Sequence, residues 1–297
     1  MTTSFHGAWP ALITPCTPEG DVNVVALRDL TEYLIGKDVD GFYLCGHTGE
    51  GVWQSLEERQ QVVDKVLDQV QRRVPTIVHV GCVSTRDAVT LAQHAQQVGA
   101  DGISSILPPL CHGAESTYLH YQAIAAAAPD LPFLPYLYGG TVDALTLMRE
   151  LVERIPNLGG AKYTGPNMYE LGQLVDLAQD RWTIFSGMDE QCLFAAMFGA
   201  PGNIGSTLNL MPGAYREIRK SYLGGELSRA QELQIRANRV TRVMISFGFP
   251  GALREAMSLL GFDCGQPRLP NPPLPAEKRE ALRAELEAVD FVTLTAM

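Results

Sequence analysis

The feature that most constrains the fold is a strict alternation of short apolar runs with longer amphipathic segments. Eight such pairs follow one another, from the run at residues 8–14 to the segment at residues 212–222. The runs are typical of buried strands, and the segments carry the period of helices. The alternation predicts a parallel sheet closed into a (β/α)8 TIM barrel of the α/β class. An open doubly wound sheet is the alternative, but the Gly-x-Gly-x-x-Gly turn that it would need after the first strand is missing.

The pattern also predicts where the elements lie and where the barrel ends. The predicted strands cover residues 8–14, 41–45, 76–80, 102–107, 132–138, 158–163, 182–185 and 202–204. The predicted barrel helices cover residues 24–36, 55–70, 85–98, 116–127, 142–154, 169–179, 190–198 and 212–222. Ser55 and Glu58 have the spacing of a capping box at the start of the second of these helices. From residue 226 the strand pattern stops, and helices are predicted over residues 226–247, 252–260 and 275–288. We therefore predict a barrel with the active site over residues 1–223 and a C-terminal helical extension over residues 224–297.

Charge and cysteine usage narrow the class of protein. Arginine and lysine number 23 against 33 acidic residues, and the net charge of -10 argues against a nucleic-acid or anionic-membrane partner. The six cysteines are scattered without a Cys-x-x-Cys pair, which predicts reduced thiols in a cytoplasmic protein. No metal-ligand spacing, secretion signal or membrane-spanning apolar run is visible. We therefore expect a small-molecule ligand, no metal and no membrane.

One lysine, Lys162, lies among small and apolar residues in the predicted strand at residues 158–163. Burial disfavours the ammonium form, so it lowers the pKa and leaves a neutral amine. Such an amine attacks ketones and forms Schiff bases. The alternative for this stretch alone is a lysine at a sheet edge that extends to water.

Function in such a barrel is expected at the carboxyl-terminal ends of the strands. The glycine-rich turn at residues 46–51 follows the second strand, and its N–H groups could bind a carboxylate. Asp189 and Glu190 follow the seventh strand and would repel a phosphate, which favours an unphosphorylated, polyhydroxylated substrate. Each motif alone also has a structural explanation, such as an ordinary turn, a packed tyrosine or a helix cap.

As a set, these motifs resemble those of the dihydrodipicolinate synthase and N-acetylneuraminate lyase family of pyruvate-dependent class I aldolases. The likeness rests on GHTGEG at residues 46–51, the Tyr136 strand, the Lys162 strand and GNIGST at residues 202–207. It covers nearly the whole chain. The stretch at residues 54–59 and the Gly-Met-Asp-Glu at residues 187–190 are most similar to the lyase subgroup.

The resemblance implies a lyase that cleaves N-acetylneuraminate or a similar 2-oxo sugar acid to pyruvate and an aldehyde such as N-acetylmannosamine. Lys162 would form the Schiff base with pyruvate and Tyr136 would relay the proton, without a metal or organic cofactor. A homotetramer is also implied. The residues implied to bind the substrate are His47, Thr48, Thr164, Gly187, Asp189, Glu190 and Ser206.

Three departures from the family pattern keep other functions open. His47 stands where a serine or threonine is usual, Leu110 stands near the position of a second relay tyrosine, and the turn after Tyr136 is shorter than usual. An aldolase or dehydratase for a shorter 2-keto-3-deoxy acid is one alternative. A dihydrodipicolinate synthase is another, although residues 137–142 lack its arginine. A catalytically altered binding protein is the non-enzyme alternative.

Overall fold

Eight short parallel strands form the centre of the computed structural model, which describes residues 5–109, 111, 113–139 and 143–297. Each strand pairs with its neighbour in the order β1-β8-β7-β6-β5-β4-β3-β2, and a parallel bridge between Ala11 and Tyr43 joins the two ends. Helices follow the strands in strict alternation. The fold is a (β/α)8 barrel, as the alternation predicts, and the doubly wound alternative is wrong.

The elements lie close to their predicted positions. The strands are β1 Gly7–Pro10, β2 Phe42–Leu44, β3 Thr76–His79, β4 Gly102–Ile106, β5 Phe133–Tyr138, β6 Gly160–Thr164, β7 Thr183–Ser186 and β8 Gly202–Gly205. The barrel helices are α1 Val24–Gly36, α2 Leu56–Val70, α3 Thr85–Gln97, α4 Ala114–Ala127, α5 Ala144–Arg154, α6 Met168–Ala178, α7 Cys192–Met197 and α8 Pro212–Leu223. The C-terminal helices are α9 Leu227–Ser246, α10 Phe249–Leu259, α11 Arg279–Glu287 and α12 Phe291–Ala296.

Two predicted elements differ from the structure, and one helix lacks a prediction. The first predicted strand, at residues 8–14, ends at Pro10. Beyond it, only Ala11 pairs with β2, through an isolated bridge to Tyr43. The predicted helix at residues 190–198 opens instead with a 3-10 turn at Asp189–Gln191. Helix α12 was not predicted. The predicted start of α5 at Val142 lies outside the described residues.

The predicted capping box at the start of α2 is confirmed. The Ser55 hydroxyl accepts a hydrogen bond from the Glu58 amide at 3.1 Å, and the Glu58 carboxylate accepts one from the Ser55 amide at 2.8 Å. The two bonds satisfy amide groups that the first turn of a helix leaves unpaired. They fix the start of α2 directly after the glycine-rich turn.

The barrel interior is filled by one cluster of buried side chains, so it is a packed core and not a channel. The cluster consists of Phe5, Trp9, Ala11, Tyr43, Ile77, Leu134, Phe185 and Ile204. The Trp9 ring meets the Phe5 and Phe185 rings edge-on, at centroid distances of 5.3 and 5.4 Å. This layer closes the barrel from below and leaves the carboxyl-terminal strand ends as the place where polar side chains can gather.

The C-terminal helices pack on the barrel and bond to its loops. In α9 the Gln234 side chain accepts a hydrogen bond from the Leu193 amide and donates one to the Asp189 carbonyl, at 2.8 and 3.2 Å. One turn later Asn238 donates to the Glu190 carbonyl at 3.0 Å. The extension therefore holds the turn that follows β7.

All six cysteines are free thiols. No helix in the described part of the chain is long and apolar enough to cross a membrane.

Candidate active site

Strand β6 directs Lys162 into the barrel. Alternate residues of a strand point to opposite faces, so Gly160, Lys162 and Thr164 face inward while Ala161 and Tyr163 face the helices. The outward Tyr163 hydroxyl donates to a carboxylate oxygen of Glu170 in α6 at 2.5 Å. Lys162 is only 4% exposed. The alternative of a lysine at a sheet edge reaching water is therefore wrong.

Burial changes the protonation of Lys162. It lowers the pKa of the ammonium group from 10.5 to about 7, and the negative charge of Asp189 opposes that shift only in part. No carboxylate in the described residues forms an ion pair with this amine. The Nζ atom instead lies 4.3 Å from the ring centroid of Tyr136 and 4.5 Å from that of Tyr43. A large share of the lysine is therefore a neutral nucleophile near pH 7.

Tyr136 stands beside Lys162 because β5 and β6 pair in register at these two residues. Burial raises the pKa of the Tyr136 phenol to about 12, so the hydroxyl is protonated at neutral pH. The Thr164 hydroxyl offsets part of this rise, although its oxygen makes no hydrogen bond of normal geometry within the described residues. This buried hydroxyl lies next to a lysine and a phenol, where it can form a hydrogen bond to a ligand.

A neutral histidine that the sequence analysis missed lies next to Tyr136. His79 of β3 is buried, and its ring meets the Tyr136 ring edge-on at 6.2 Å. The His79 Nε2 atom accepts from the Ile106 amide at 3.1 Å, so Nδ1 carries the proton and donates to the Cys45 carbonyl at 3.1 Å. Burial lowers the pKa of His79 well below its ordinary value. Its signal in the sequence was a polar residue within the otherwise apolar run TIVHV.

Gly187 permits a close approach of β7 to β6. A Cβ atom at Gly187 would lie 1.8 Å from the Thr164 Oγ1 atom and 3.1 Å from the Lys162 Cε atom. Both distances are shorter than van der Waals contact, so a side chain here would displace the lysine or the threonine. Gly187 contributes to the site because, having no side chain, it leaves room for Thr164 and Lys162.

Asp189 lies inside the barrel rim and its carboxylate is already hydrogen-bonded. Oδ2 accepts from the Thr207 amide and hydroxyl at 2.8 and 2.7 Å, and Oδ1 accepts from the Asn203 side chain at 3.1 Å. The side chain is 4% exposed and makes no capping bond to the 3-10 turn that it opens. Burial raises the pKa of this carboxyl, and the three hydrogen bonds offset part of that rise. The helix-cap explanation is therefore wrong, and Asp189 fixes the segment that follows β8.

Glu190 is the freer of the two acids. Its side chain is half-buried and forms no ion pair with a cation of the described residues. Burial raises the pKa of this carboxyl, and the adjacent Asp189 charge raises it further. Glu190 retains oxygen atoms that can accept hydrogen bonds from a ligand.

The glycine-rich turn meets the end of β8 across the rim. The Thr48 and Ser206 hydroxyl oxygens are 2.6 Å apart. The Thr48 and Gly49 amides donate no hydrogen bond to another described residue, which leaves two N–H groups for an anion. His47 lies at the mouth with its ring edge-on to Trp53. The residue keeps contact with solvent, but the partial desolvation of its ring, together with the Lys162 charge, lowers its pKa.

A cavity of about 200 Å³ opens beside this turn. Thr48, His47 and Ser206 form one side of it, and Phe249 and Leu253 of α10 form the other. Lys162 lies outside its lining. The helical extension thus supplies one wall of the space next to the predicted substrate-binding residues, which the sequence analysis did not foresee.

The predicted site residues thus gather at one end of the barrel, with Lys162, Tyr136, Thr164, Gly187 and Asp189 as neighbours. Thr48, Ser206 and His47 occupy the adjoining rim. No three His, Cys, Asp or Glu side chains come together as metal ligands in the parts of the chain that are described. The arrangement combines a neutral amine, a protonated phenol and free amides, which suits covalent chemistry on a carbonyl compound that bears a carboxylate.

Two of the departures noted in the sequence fall wholly or partly outside the described residues. Leu110 lies outside the described residues, and so do residues 140–142 of the turn after Tyr136. Tyr138, at the end of β5, is half-exposed.

Comparison with known proteins gives a consistent family and fold. The model of the dihydrodipicolinate synthetase family matches residues 4–289. N-acetylneuraminate lyase of Danio rerio is 33% identical over 291 residues, or 94% of this chain and 95% of that protein. N-acetylneuraminate lyase of Escherichia coli is 34% identical over 263 residues, which is 86% of this chain and 87% of that protein. The solved structure of Proteus mirabilis N-acetylneuraminate lyase superposes with a TM-score of 0.93 at 29% identity, covering 97% of this chain and 100% of that chain.

Proposed function

Because the chain belongs to the dihydrodipicolinate synthetase family, we propose that it is a Schiff-base-forming lyase for N-acetylneuraminate or a similar 2-oxo sugar acid. The products are pyruvate and an aldehyde, N-acetylmannosamine in the first case. The relatives named N-acetylneuraminate lyase support this substrate class. The observation that carries the proposal is Lys162, buried and with its pKa lowered to about 7.

The proposed reaction begins when the Lys162 amine adds to the ketone carbon C2 of the open-chain substrate. Loss of water gives an iminium ion, which then accepts the electron pair of the breaking C3–C4 bond. A base removes the proton from the C4 hydroxyl, the aldehyde leaves, and an enamine of pyruvate remains on Lys162. Protonation at C3 and hydrolysis of the imine release pyruvate and regenerate the amine. The lysine itself supplies the electron sink, so no other cofactor is required.

Tyr136 is the proposed proton relay. Its phenol begins protonated, because burial raises its pKa to about 12. The iminium ion forms beside its ring, where the Lys162 Nζ atom lies 4.3 Å from the centroid. A positive charge at that position stabilises the phenolate and lowers the pKa of the phenol during the reaction. The phenol can therefore give its proton to the carbinolamine hydroxyl that leaves as water, and the resulting phenolate can accept the proton of the C4 hydroxyl.

The remaining groups divide between the two ends of the substrate. Thr48 and the free amides of its turn would hold the carboxylate, and Thr164, Gly187, Glu190 and Ser206 would face the hydroxylated chain. Asp189 would act mainly by holding Thr207, and through it the neighbouring Ser206. His47 would contact the substrate from the mouth.

The first prediction tests the Schiff base directly. Incubation with pyruvate and borohydride should add one reduced pyruvyl group to Lys162, since reduction converts the imine to a stable secondary amine. Peptide mass spectrometry locates the label. Lys162→Ala should abolish it, and Lys278→Ala, which removes an exposed lysine, should leave it unchanged. A label on another residue would contradict the proposal.

A shorter 2-keto-3-deoxy acid is the second candidate substrate. The Asp189 carboxylate favours this substrate, because its oxygens already accept hydrogen bonds from Thr207 and Asn203. They are therefore less available to bind the hydroxyl groups of a longer substrate. A panel of 2-oxo sugar acids of increasing chain length, assayed for pyruvate release, separates the two. Release only from short acids would overturn the sialic-acid assignment, and no release from any acid would leave a dehydratase or a binding protein.

The proposal includes a cytoplasmic homotetramer. The scattered cysteines and the family resemblance support it, and sedimentation velocity of the purified protein tests the oligomeric state.

A further inference from the structure

A buried carboxylate joins the glycine-rich turn to the helical extension. Glu50, within the turn at residues 46–51, is 3% exposed and accepts three hydrogen bonds from the C-terminal part of the chain. They come from the Arg254 guanidinium at 2.6 Å, the Arg268 amide at 3.0 Å and the Asn271 side chain at 3.1 Å. All three donors lie more than 200 residues away along the chain.

Arg254 of α10 is the centre of this contact. It is 6% exposed, and besides Glu50 it donates to the Thr14 carbonyl at 3.2 Å and to the Cys264 carbonyl. Thr14 follows β1, and Cys264 lies in the segment after α10. One planar guanidinium therefore joins three separate segments, a geometry that the single ammonium group of lysine cannot reproduce.

The turn held by this contact is strained and carries free donors. Cys45 and Glu50, at its two ends, have positive φ angles of 55° and 56°, a conformation that residues other than glycine rarely adopt. Such a conformation persists only where the surroundings hold it. Between these two residues lie the Thr48 and Gly49 amides, which donate to no acceptor in the described part of the chain. Their direction depends on the turn keeping this shape.

The same side chain borders the cavity beside the turn. Arg254, Glu50 and Thr48 line the cavity of about 200 Å³, together with Phe249 and Leu253, which precede Arg254 on α10. A shift of α10 relative to the turn would therefore move one wall of the cavity away from Thr48.

We infer that Arg254 is a positioning residue that sets the affinity for the carboxylate end of the 2-oxo acid by holding the turn at residues 46–51 through Glu50. The inference rests on the proposed function, because that function places a carboxylate at this turn. Arg254 touches no reacting atom and acts on the anion through Glu50 and the free amides. The helical extension is thereby part of the substrate-binding apparatus.

The test measures borohydride trapping of pyruvate on Lys162 as a function of pyruvate concentration. Arg254→Met should raise the half-saturating pyruvate concentration at least tenfold, because the amides are no longer held towards the carboxylate. The labelled fraction at saturation should stay near that of the wild type, since Lys162 and Tyr136 are not in contact with Arg254. A merely structural role would lower the labelled fraction and leave the half-saturation point unchanged.

Two further variants keep the test decisive if Arg254→Met folds poorly with an unpaired Glu50. Glu50→Gln combined with Arg254→Gln removes both buried charges, and it should show the same rise in half-saturation. Arg254→Lys keeps the charge but loses the three-segment contact, and it should show a smaller rise. Arg279→Met removes the ion pair between Arg279, at the start of α11, and Glu255, which follows Arg254 on α10, and it should change nothing.

The outcomes separate this inference from the proposed function. Absence of labelling in the wild-type protein would overturn the proposed function. Normal labelling of the wild type, with wild-type half-saturation in both Arg254→Met and the double variant, would overturn the role of Arg254 alone.

Discussion

At the scale of single residues, the chemistry depends on two side chains whose protonation is set by burial. Lys162 loses its proton near neutral pH while Tyr136 keeps its own, because desolvation disfavours the charged form of each. The barrel thus presents a nucleophile and an acid side by side, although lysine and tyrosine would both be protonated in water. Separate substitutions should distinguish their roles.

Tyr136→Phe removes the phenol and keeps the ring. We expect kcat for cleavage to fall roughly 10²- to 10⁴-fold, the usual contribution of a positioned acid–base group. Pyruvate trapping on Lys162 should persist. Steady-state kinetics with the best substrate of the panel measure kcat, and mass spectrometry measures the trapped pyruvate. Tyr138→Phe, on the same strand, is the matched comparison, and near-normal turnover of Tyr136→Phe would move the relay role to Tyr138 or His47.

Asp189→Asn keeps the shape of the side chain and removes its charge. The amide cannot accept the two bonds from Thr207 and the one from Asn203 together, so Ser206 should shift. We expect cleavage of a long polyhydroxylated substrate to fall roughly 10²-fold, because misplaced polar groups lose their bonds to it. Pyruvate trapping should fall much less.

The matched control for this change is Asp143→Asn. Asp143 caps α5 by accepting from the Thr146 amide, and asparagine is an equally good cap, so neither readout should move. If Asp189→Asn had small and equal effects on cleavage of the long substrate and on pyruvate trapping, the sialic-acid assignment would fail. The protein would then be a pyruvate aldolase of unspecified substrate.

At the scale of elements, the site depends on how closely β7 approaches β6. The two strands pair from Gly160 with Thr183 to Tyr163 with Ser186, and Gly187 continues the approach past the strand end. Its amide donates to the Tyr163 carbonyl at 2.7 Å. The lysine and the threonine occupy the space that a side chain at Gly187 would need.

Gly187→Ala should therefore disrupt the site without unfolding the barrel. The new Cβ atom would overlap the Thr164 hydroxyl and press on the Lys162 side chain. Misplacement of a reacting group by about 1 Å can cost roughly 10²-fold in rate, and we expect a loss of that size in the rate of pyruvate trapping. Gly36→Ala, at the end of α1 with open space around it, should have no effect. Equal trapping rates in both variants would rule out the steric explanation.

At the scale of the whole molecule, keeping an ionisable amine in the interior costs stability. The unfolded chain holds a proton on Lys162 up to about pH 10.5, whereas the folded chain releases it near pH 7. Between these values the unfolded state binds more protons, so this group makes stability rise with pH. The cost is fully present below about pH 7 and disappears above pH 10.5.

Lys162→Met should accordingly stabilise the protein while abolishing trapping. A pKa shift from 10.5 to about 7 corresponds to a gain on the order of 4 kcal/mol at pH 7 and below. Urea unfolding at several pH values measures it, and the difference between variant and wild type should shrink as the pH rises towards 10. Lys278→Met, at an exposed position, should show no such pH-dependent difference. A variant no more stable than the wild type at pH 7 would contradict the lowered pKa.

The sequence by itself determined the barrel, the order of its elements and the lysine on β6. Strand and helix periods are local properties, and a parallel strand–helix repeat has few ways to bury its apolar faces. Helix α1 and the capping box of α2 lie where the sequence predicts them, because their signals are within a few residues of one another. The roles of the site residues remain predictions that rest on family resemblance.

Tertiary structure alone decided which side chains meet across long stretches of chain. Asp189 reads locally as a helix cap, but its partner Thr207 is 18 residues away and draws it into the barrel. His79 appears in the sequence as one polar residue in an apolar run, and only the neighbouring strands show that it contacts Tyr136. Glu50 and Arg254 are 204 residues apart, and no local pattern couples them. Such pairings arise when the closed barrel and its extension bury polar groups together, because each buried group must then find a partner that sequence spacing does not specify.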